Sequence, residues 1–399
     1  MVATACPAAV PGAGQVRPGV ADIFRRFGPA YLDRELLPPQ VSKVLRNIIR
    51  CRTLALGGHA SVCEVCHAEW LHYNSCFDRH CPTCQGPLAA VWTSKCLERL
   101  IETPHFHTVT TCPDELHPLA LANQALVYDL LLRATSESLL QLAASRWKAL
   151  PAITAVLHTW NRQMGYHPHV HCVITGGGLS FDGDRWVPCK KPEYLFSVKV
   201  LSKLVRGKFM DGLRRAYEAG QLRFVGTSAH LADPNEFQRL VDQLYTTSWY
   251  SYTKPTFGKV EDILRYLSLY THRVAISSSR ILSVDDDAIV FLTKDGETCR
   301  LHPQEFLRRF LLHVLPKGFR KIRYYGLSAP SNVNTRLPVA QRLAEAMNRR
   351  HRGAHLVQPP ANATPRNTRP QAGDRCPACG TGILVKRPLP LARAPPVLP

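Results

Sequence analysis

The sequence predicts an α+β protein, and three observations lead to that class. Short segments rich in β-branched residues are typical of strands, and they occur at Phe106–Thr111, Ile153–Trp160 and Pro168–Ile174. Longer segments around them repeat apolar residues every three or four positions, as helices do. The stretch Leu56–Gln85 shows neither period; it is polar and rich in cysteine, so burial alone cannot fold it.

The helices expected from this pattern begin near the N-terminus. One helical region runs from Val20 to Arg50 and is broken at Pro38 and Pro39, and another resumes after Ala89. Further along the chain we expect helices or helical regions at Leu116–Leu150, Leu201–Ala219, Glu261–Tyr270 and Gln304–Leu315. A hairpin is expected at Leu179–Val187, with its turn at Asp182-Gly183, and two late strands at Arg273–Ile281 and Ala288–Thr293.

Changes in composition divide the chain into five expected parts. After residue 350 prolines and basic residues are frequent and large apolar residues few, which predicts a mostly disordered tail. The parts are a flexible leader (1–19), an N-terminal part that contains the cysteine-rich stretch (20–97), a central part (98–290), a following part (291–350) and a basic proline-rich tail (351–399).

The charge balance indicates a polyanionic partner. Lys and Arg number 50 against 30 Asp and Glu, a formal net charge of +20. Such a surplus attracts nucleic acid most often, and an acidic membrane surface is the competing interpretation. No segment is long and apolar enough to span a bilayer, and the first residues do not resemble a secretion signal. We therefore expect a cytoplasmic, nucleoid-associated protein without a membrane partner.

Two CxxC pairs in the cysteine-rich stretch predict a structural zinc site. Cys63 and Cys66 form the first pair, and Cys81 and Cys84 form the second. Four thiolates on two tight turns suit tetrahedral zinc, and the expected reducing compartment disfavours the alternative of disulfides. A second zinc, or an exchange of ligands, could also involve nearby residues: His59, Cys76 and His80.

A further CxxC pair, Cys376 and Cys379, lies in the predicted tail. It is half of a zinc site without a partner nearby in the sequence. Zinc binding across a dimer, zinc binding with distant ligands and a remnant turn without metal all remain open.

The segment HPHVHCVIT predicts a metal-binding face on one strand. If the strand begins at Pro168, His169 and His171 point to one side and the apolar residues between them point to the other. His158 on the preceding strand could join them, and three imidazoles leave coordination positions open for catalysis. The alternative is that these are hydrogen-bonded structural histidines. His167 is expected to lie in a loop.

Tyr266 and Tyr270 are four residues apart, so they share one face of the predicted helix Glu261–Tyr270. The simpler interpretation is an aromatic pair that completes the core. The other is that their hydroxyl groups attack a phosphodiester and hold the DNA end as a covalent ester.

The chain resembles the HUH-type rolling-circle transposases of the insertion-sequence ninety-one family. The resemblance rests on HPHVHCVITGGGLS, RYLSLYTHRVAIS, HASVCEVC and YNSCFDRHCPTCQ, which occur together in this chain. HUH stands for histidine, a hydrophobic residue and histidine, here His169-Val170-His171. The resemblance extends from about Phe24 to about Gly326.

This resemblance implies an N-terminal zinc-binding domain (20–97), an antiparallel-sheet HUH catalytic nuclease domain (98–290) and a C-terminal part of the catalytic region (291–350). It implies that one strand of DNA, at single-stranded or hairpin ends of a mobile element, is nicked through a 5′-phosphotyrosine. Carried onto this sequence, Tyr266 and Tyr270 are the nucleophiles, and Mg²⁺ or Mn²⁺ is bound by His169 and His171, with His158 as an additional histidine.

Two other functions fit parts of the sequence. A plasmid replication initiator or relaxase shares the nicking chemistry, although the zinc cluster placed first in the chain favours the transposase. A non-enzymatic zinc DNA-binding regulator explains the charge and the cysteines. It leaves the histidines and the tyrosine pair without a role.

Overall fold

A computed structural model of the protein describes residues 18–256, 274–293, 295–352 and 370–389, and the structural statements below concern these residues. Most of the predicted leader lies outside them. So does the predicted helix Glu261–Tyr270 with Tyr266 and Tyr270.

The described helices and strands agree with most of the predicted elements. In chain order the helices are α1 Val20–Arg34, α2 Pro39–Arg50, α3 Gln85–Glu98, α4 His117–Ala122, α5 Gln124–Trp147, α6 Val198–Glu218, α7 Pro234–Thr246, α8 Pro303–Leu311 and α9 Arg336–Arg352. The strands are β1 Gly58–Cys63, β2 Glu69–Tyr73, β3 His105–Thr111, β4 Ala149–Leu150, β5 Ala152–Trp160, β6 Tyr166–Thr175, β7 Gly177–Ser180, β8 Trp186–Pro188, β9 Ser251–Pro255, β10 Ile281–Val284, β11 Ile289–Leu292, β12 Thr298–Leu301, β13 Ile322–Gly326 and β14 Leu384–Leu389.

A five-stranded sheet forms the centre of the described structure. Its strand order is β13-β5-β6-β3-β9, and every neighbouring pair is antiparallel. Chain-distant strands therefore lie side by side, and β3 pairs with both β6 and β9. This confirms the predicted class, a mixture of helices and an antiparallel sheet.

The main hydrophobic core lies on one face of this sheet. Alternation along β6 directs Val170, Cys172 and Ile174 into that core, where each is fully buried. Helices α5 and α6 cover this face and contribute residues such as Leu131 and Phe209. The opposite face of β6 is therefore left to the intervening residues, which include the histidines.

A second core joins segments that the sequence analysis assigned to different domains. Phe24 of α1 contacts Phe310 of α8 edge to face, with ring centroids 4.8 Å apart. Residues of α2 and of strands β10 to β12 belong to the same cluster. The expected boundaries at residues 97 and 290 thus separate segments that pack together.

Residues 370–389 differ from the expected disordered tail. The structure describes them as a turn region followed by β14, which pairs with β1 in a three-stranded sheet of order β14-β1-β2. The predicted strand Arg273–Ile281 also differs, because residues 278–280 form a 3-10 turn before β10. Within the described residues, no helix combines the length and apolar character needed to cross a bilayer.

Candidate functional site

The three histidines predicted to converge do so in the structure. His158 of β5 is the direct cross-strand partner of His169 of β6, and His171 follows two residues later on the same face. One ring nitrogen of each lies within 4.8 Å of the others. The interaction of two antiparallel strands thus gathers three imidazoles at one point of the sheet.

A hydrogen bond to the backbone orients the His169 ring, and one shared with another histidine orients the His171 ring. His169 donates its Nδ1–H to the carbonyl oxygen of His167 at 2.8 Å. Because a carbonyl oxygen only accepts, the neutral His169 ring carries its proton on Nδ1 and its lone pair on Nε2. His171 Nδ1 shares a hydrogen bond of 2.8 Å with Nε2 of His107 on β3.

The imidazoles line a cleft of about 600 Å³. Trp160 stacks on His158 with ring centroids 4.6 Å apart and forms part of the wall. Arg162 forms an ion pair with Asp295 at the edge of the cleft, and Arg280 also lines it. Asp295 and Glu297 also line the cleft, so two carboxylates balance its two guanidinium groups, and the clustered imidazoles are the feature that distinguishes the site.

The donor set fits a catalytic divalent cation better than a structural one. Three neutral imidazoles are good ligands for several divalent metals, and three protein ligands leave positions open for substrate or water. The hydrogen bonds at Nδ1 of His169 and His171 are of the kind that fixes the tautomer and orientation of metal-binding histidines.

His167 differs from the expected loop residue. It lies within β6, lines the same cleft, and its Nδ1 is 3.6 Å from Asp114 Oδ1. A register shift between His158 and Trp160 lets β6 begin before Pro168, at Tyr166, which pairs with Trp160. Pro168 therefore did not mark the start of the strand.

His107 is a residue of this site that the sequence analysis missed. It is buried on β3, opposite Val173 of β6, and its ring stacks with that of His171 at a centroid distance of 5.0 Å. The segment FHTVTT was read only as a strand. The only signal in the sequence is that alternation places His107 on one face of its strand. Knowing that this face adjoins His171 requires the pairing register of β3 with β6.

If the three imidazoles bind Mn²⁺, replacing His107 by alanine is expected to weaken that binding by about 10–100-fold, the usual effect of losing a partner of a metal-binding histidine. The physical reason is that His171 loses the group that orients its ring. Titration calorimetry with Mn²⁺ and thermal unfolding, measured together, separate this effect from a loss of stability.

His105 provides the matched control for His107. It is a buried histidine two residues earlier on β3 and bonds the carbonyl oxygen of Thr103, and burial lowers its pKa to about 4. His105→Ala should change thermal stability without changing Mn²⁺ affinity. Equal losses of Mn²⁺ affinity in both variants would show that His107 acts only through packing.

The first cysteine group lies where the N-terminal domain meets the second core. Cys51, Cys76, Cys81 and Cys84 have their sulfur atoms within 4.8 Å of one another. The sulfurs of Cys51 and Cys84 are 3.4 Å apart, and those of Cys76 and Cys84 are 3.7 Å apart. Four thiols at this spacing are a ligand set for tetrahedral zinc.

This group corrects the predicted ligand set. Cys63 and Cys66 were expected to share an ion with Cys81 and Cys84, but the structure places them in a separate group with Cys376 and Cys379. The reason is that Cys63 ends β1, and the turn after it leads into β2, away from the second CxxC pair. Cys51 is not part of a CxxC motif, yet together with Cys76 it completes the group that contains Cys81 and Cys84.

The additional residues considered for zinc behave differently from one another. Cys76 joins the first group, as that expectation allowed. His59 instead stacks on His72, with centroids 4.8 Å apart, and belongs to neither cysteine group. His80 uses both ring nitrogens within the protein: Nδ1 lies 3.0 Å from Asp78 Oδ1, and Nε2 accepts a hydrogen bond from the backbone N–H of Leu315 at 3.1 Å.

The loop between Cys76 and Cys81 connects the first cysteine group to the central sheet. The half-buried guanidinium of Arg79 donates to the carbonyl oxygens of Pro316, at 2.7 Å, and Phe319. These residues directly precede β13. Burial opposes ionisation of Asp78, yet hydrogen bonds from His80 and Asn47 lower the pKa of its carboxyl to about 2.

Comparison with known proteins matches two parts of the chain to transposase families. A family described as "Transposase zinc-binding domain" matches residues 23–112, and a family described as "Putative transposase" matches residues 152–336. The first match contains the first cysteine group, and the second contains the three histidines.

Two relatives extend the comparison over most of the chain. "Putative transposase y4qJ" of Sinorhizobium fredii is 40% identical over 384 residues, which cover 92% of this chain and 94% of that protein. "Transposase for insertion sequence element IS801" of Pseudomonas savastanoi pv. phaseolicola is 29% identical over 300 residues, or 72% and 70% of the two chains. No solved structure matches the chain.

Proposed function

The chain belongs to the IS91 transposase family, and from this premise we propose that it nicks and rejoins single DNA strands through a 5′-phosphotyrosine intermediate. The resulting 3′-hydroxyl would prime rolling-circle-like transposition. The observation that carries the proposal is the convergence of His158, His169 and His171 within one cleft. Zinc in the N-terminal domain would have a structural role.

In this proposal His158, His169 and His171 would hold Mg²⁺ or Mn²⁺, each through a ring nitrogen. When bound, the ion supplies Lewis-acid polarisation of the scissile phosphate. His169 keeps its Nε2 lone pair free for an ion because its Nδ1–H donates to the carbonyl oxygen of His167. His171 would do the same when its Nδ1–H donates to Nε2 of His107. Four charged side chains line this cleft, Arg162 and Arg280 with Asp295 and Glu297, and their formal charges cancel. A bound ion would therefore supply the positive charge that attracts a DNA phosphate.

The covalent step is assigned to Tyr266 or Tyr270. The phenol oxygen bonds to phosphorus while the bond from phosphorus to the preceding 3′ oxygen breaks. The tyrosine loses its proton, the 3′ oxygen takes up a proton, and the 5′ phosphate stays on the protein. The reverse reaction with another 3′-hydroxyl rejoins a strand, and a second tyrosine would allow two strands to be exchanged without releasing either.

The experiment that tests this function uses single-stranded DNA from an end of the encoding element, labelled with a fluorophore on the side 3′ to the nick. The wild-type protein is incubated with this DNA and Mn²⁺, and the products are separated on a denaturing gel. We expect a protein-linked label that forms with Mn²⁺ and is absent with EDTA. A complex that dissociates with salt, with neither cleavage nor adduct, would identify a zinc DNA-binding regulator instead.

A further inference from the structure

The C-terminal segment 370–389 packs against the N-terminal part of the chain. Its strand β14 pairs antiparallel with β1 over six residue pairs, from Gly58 with Leu389 to Cys63 with Leu384. β14 is an edge strand, since the order of the sheet is β14-β1-β2. Pro388 is compatible with this position because an edge strand need not donate a hydrogen bond from every residue.

Hydrophobic burial contributes little to this attachment. Within residues 370–389, Cys376 and Leu384 are the side chains that are buried. The apolar surface of one leucine and one cysteine offsets only a small part of the conformational entropy that is lost when twenty residues become ordered. A segment of this length therefore needs another source of stability.

Four sulfur atoms meet at the end of this strand pair. Cys63 Sγ is 3.7 Å from Cys379 Sγ, and Cys66 Sγ is 3.6 Å from Cys376 Sγ, a residue 310 positions away in the sequence. All four lie within 4.8 Å of one another. Tetrahedral zinc with bonds of about 2.3 Å separates its sulfur ligands by about 3.8 Å. A disulfide needs about 2.05 Å, so these distances fit a shared ion rather than two disulfides.

The two CxxC turns have the same backbone geometry. In each, the residue after the second cysteine has a positive φ, 57° at His67 and 72° at Gly380. Its N–H donates to the carbonyl oxygen of the first cysteine, at 3.1 Å for Cys63 and 2.8 Å for Cys376. The left-handed residue lets each turn direct both sulfurs to one side.

Backbone N–H groups also point at the sulfurs, as thiolate ligands require. Cys63 Sγ accepts from the N–H groups of Val65 and Cys66, both at 3.4 Å, and Cys379 Sγ accepts from Gly382 at 3.4 Å. A Cβ at Gly382 would overlap Cys63 Sγ, so the two turns are in close contact. These bonds disperse the negative charge that four thiolates bring together.

We propose that Cys63, Cys66, Cys376 and Cys379 bind a second structural zinc ion, which fastens residues 370–389 to β1. The N-terminal zinc-binding domain is then completed by a strand from the other end of the sequence. The protein would then bind two zinc ions per chain. One joins Cys51, at the end of α2, to residues 76–84, and the other joins the ends of β1 and β14.

The first test is the zinc content of the full-length protein, measured by inductively coupled plasma mass spectrometry. Wild-type protein should hold two zinc ions per chain, and the variant Cys376→Ser/Cys379→Ser should hold one. Cys189→Ser, which changes a half-buried thiol outside both groups, should keep two. A wild-type content of one ion, or two ions retained in the double variant, would overturn the proposal.

Hydrogen exchange shows whether the ion fastens the strand. Amides of 58–63 and of 384–389 should exchange faster in Cys376→Ser/Cys379→Ser than in Cys189→Ser, while those of β5 and β6 keep their protection. Unchanged protection of β14 in the double variant would mean that the strand docks without metal, contrary to the proposal. This readout does not involve DNA cleavage, so it is independent of the proposed function.

A mixing experiment shows whether the four cysteines of this site come from one chain or from two. Cys63→Ser/Cys66→Ser protein and Cys376→Ser/Cys379→Ser protein are unfolded, combined and refolded with zinc. If the site lies within one chain, the mixture should keep one zinc ion per chain. Recovery of additional zinc would show that the C-terminal pair completes the site of another copy, which contradicts attachment within the chain.

Discussion

Replacing His169 or His171 by alanine is expected to reduce DNA nicking by more than about 100-fold. Loss of a hydrogen-bonding partner of a metal ligand already costs about 10–100-fold, and these variants remove a proposed ligand itself. Each removes one of three nitrogens gathered within 4.8 Å. Nicking is measured with labelled single-stranded DNA and Mn²⁺, and binding is measured by fluorescence anisotropy in EDTA.

DNA affinity should change little in these variants, because phosphate contacts by basic residues dominate binding. His230→Ala is the matched control, since His230 is an exposed histidine away from the cleft. Its nicking rate should equal that of the wild type. Wild-type nicking by either His169→Ala or His171→Ala would refute the proposed metal site.

Replacing Cys81 by serine is expected to lower the free energy of unfolding by several kcal/mol and to remove one zinc ion per chain. Structural zinc contributes about 10–16 kcal/mol of apparent binding free energy in zinc-finger peptides. A fraction of that free energy accounts for the expected destabilisation of Cys81→Ser. Loss of the ion also frees the loop that carries Arg79 and His80, whose hydrogen bonds to Pro316 and Leu315 connect it to the segment before β13. Zinc content and urea unfolding measure the two effects.

Cys299→Ser is the control for Cys81→Ser. Cys299 is a half-buried thiol that packs against the same second core but belongs to neither cysteine group. It should retain the wild-type zinc content and lose little stability. If Cys81→Ser kept its full zinc content and its stability, the first cysteine group would not be a structural zinc site.

The histidine cluster could be predicted because its signal is local. Alternation along β6 places His169 and His171 on one face, and the apolar residues between them fix which face is buried. His158 needed only the assumption that consecutive strands pair, which they do here with His158 opposite His169. The role of His107 depends on the pairing of β3 with β6, which local patterns do not specify.

The cysteine ligand sets could not be predicted from spacing. Two CxxC pairs close together in the sequence suggested one shared ion, yet the two pairs belong to different groups, and the second pair is joined by Cys51 as well as by the nearby Cys76. Cys63 and Cys66 meet a pair from the predicted tail because β14 returns to β1. Such long-range strand pairing is set by the whole fold. A proline-rich composition around Cys376 concealed the short ordered segment that contains it.

The most direct measurement of the central claim is identification of the amino acid that carries the DNA. Wild-type adduct formed with Mn²⁺ is digested with protease and nuclease and analysed by mass spectrometry, beside Tyr266→Phe/Tyr270→Phe and the exposed-residue control Tyr194→Phe. We expect the 5′ phosphate on Tyr266 or Tyr270, adduct in the control, and none in the double variant. Adduct that persists in the double variant, or a phosphate attached to another residue such as Tyr252, would contradict this assignment of the nucleophile.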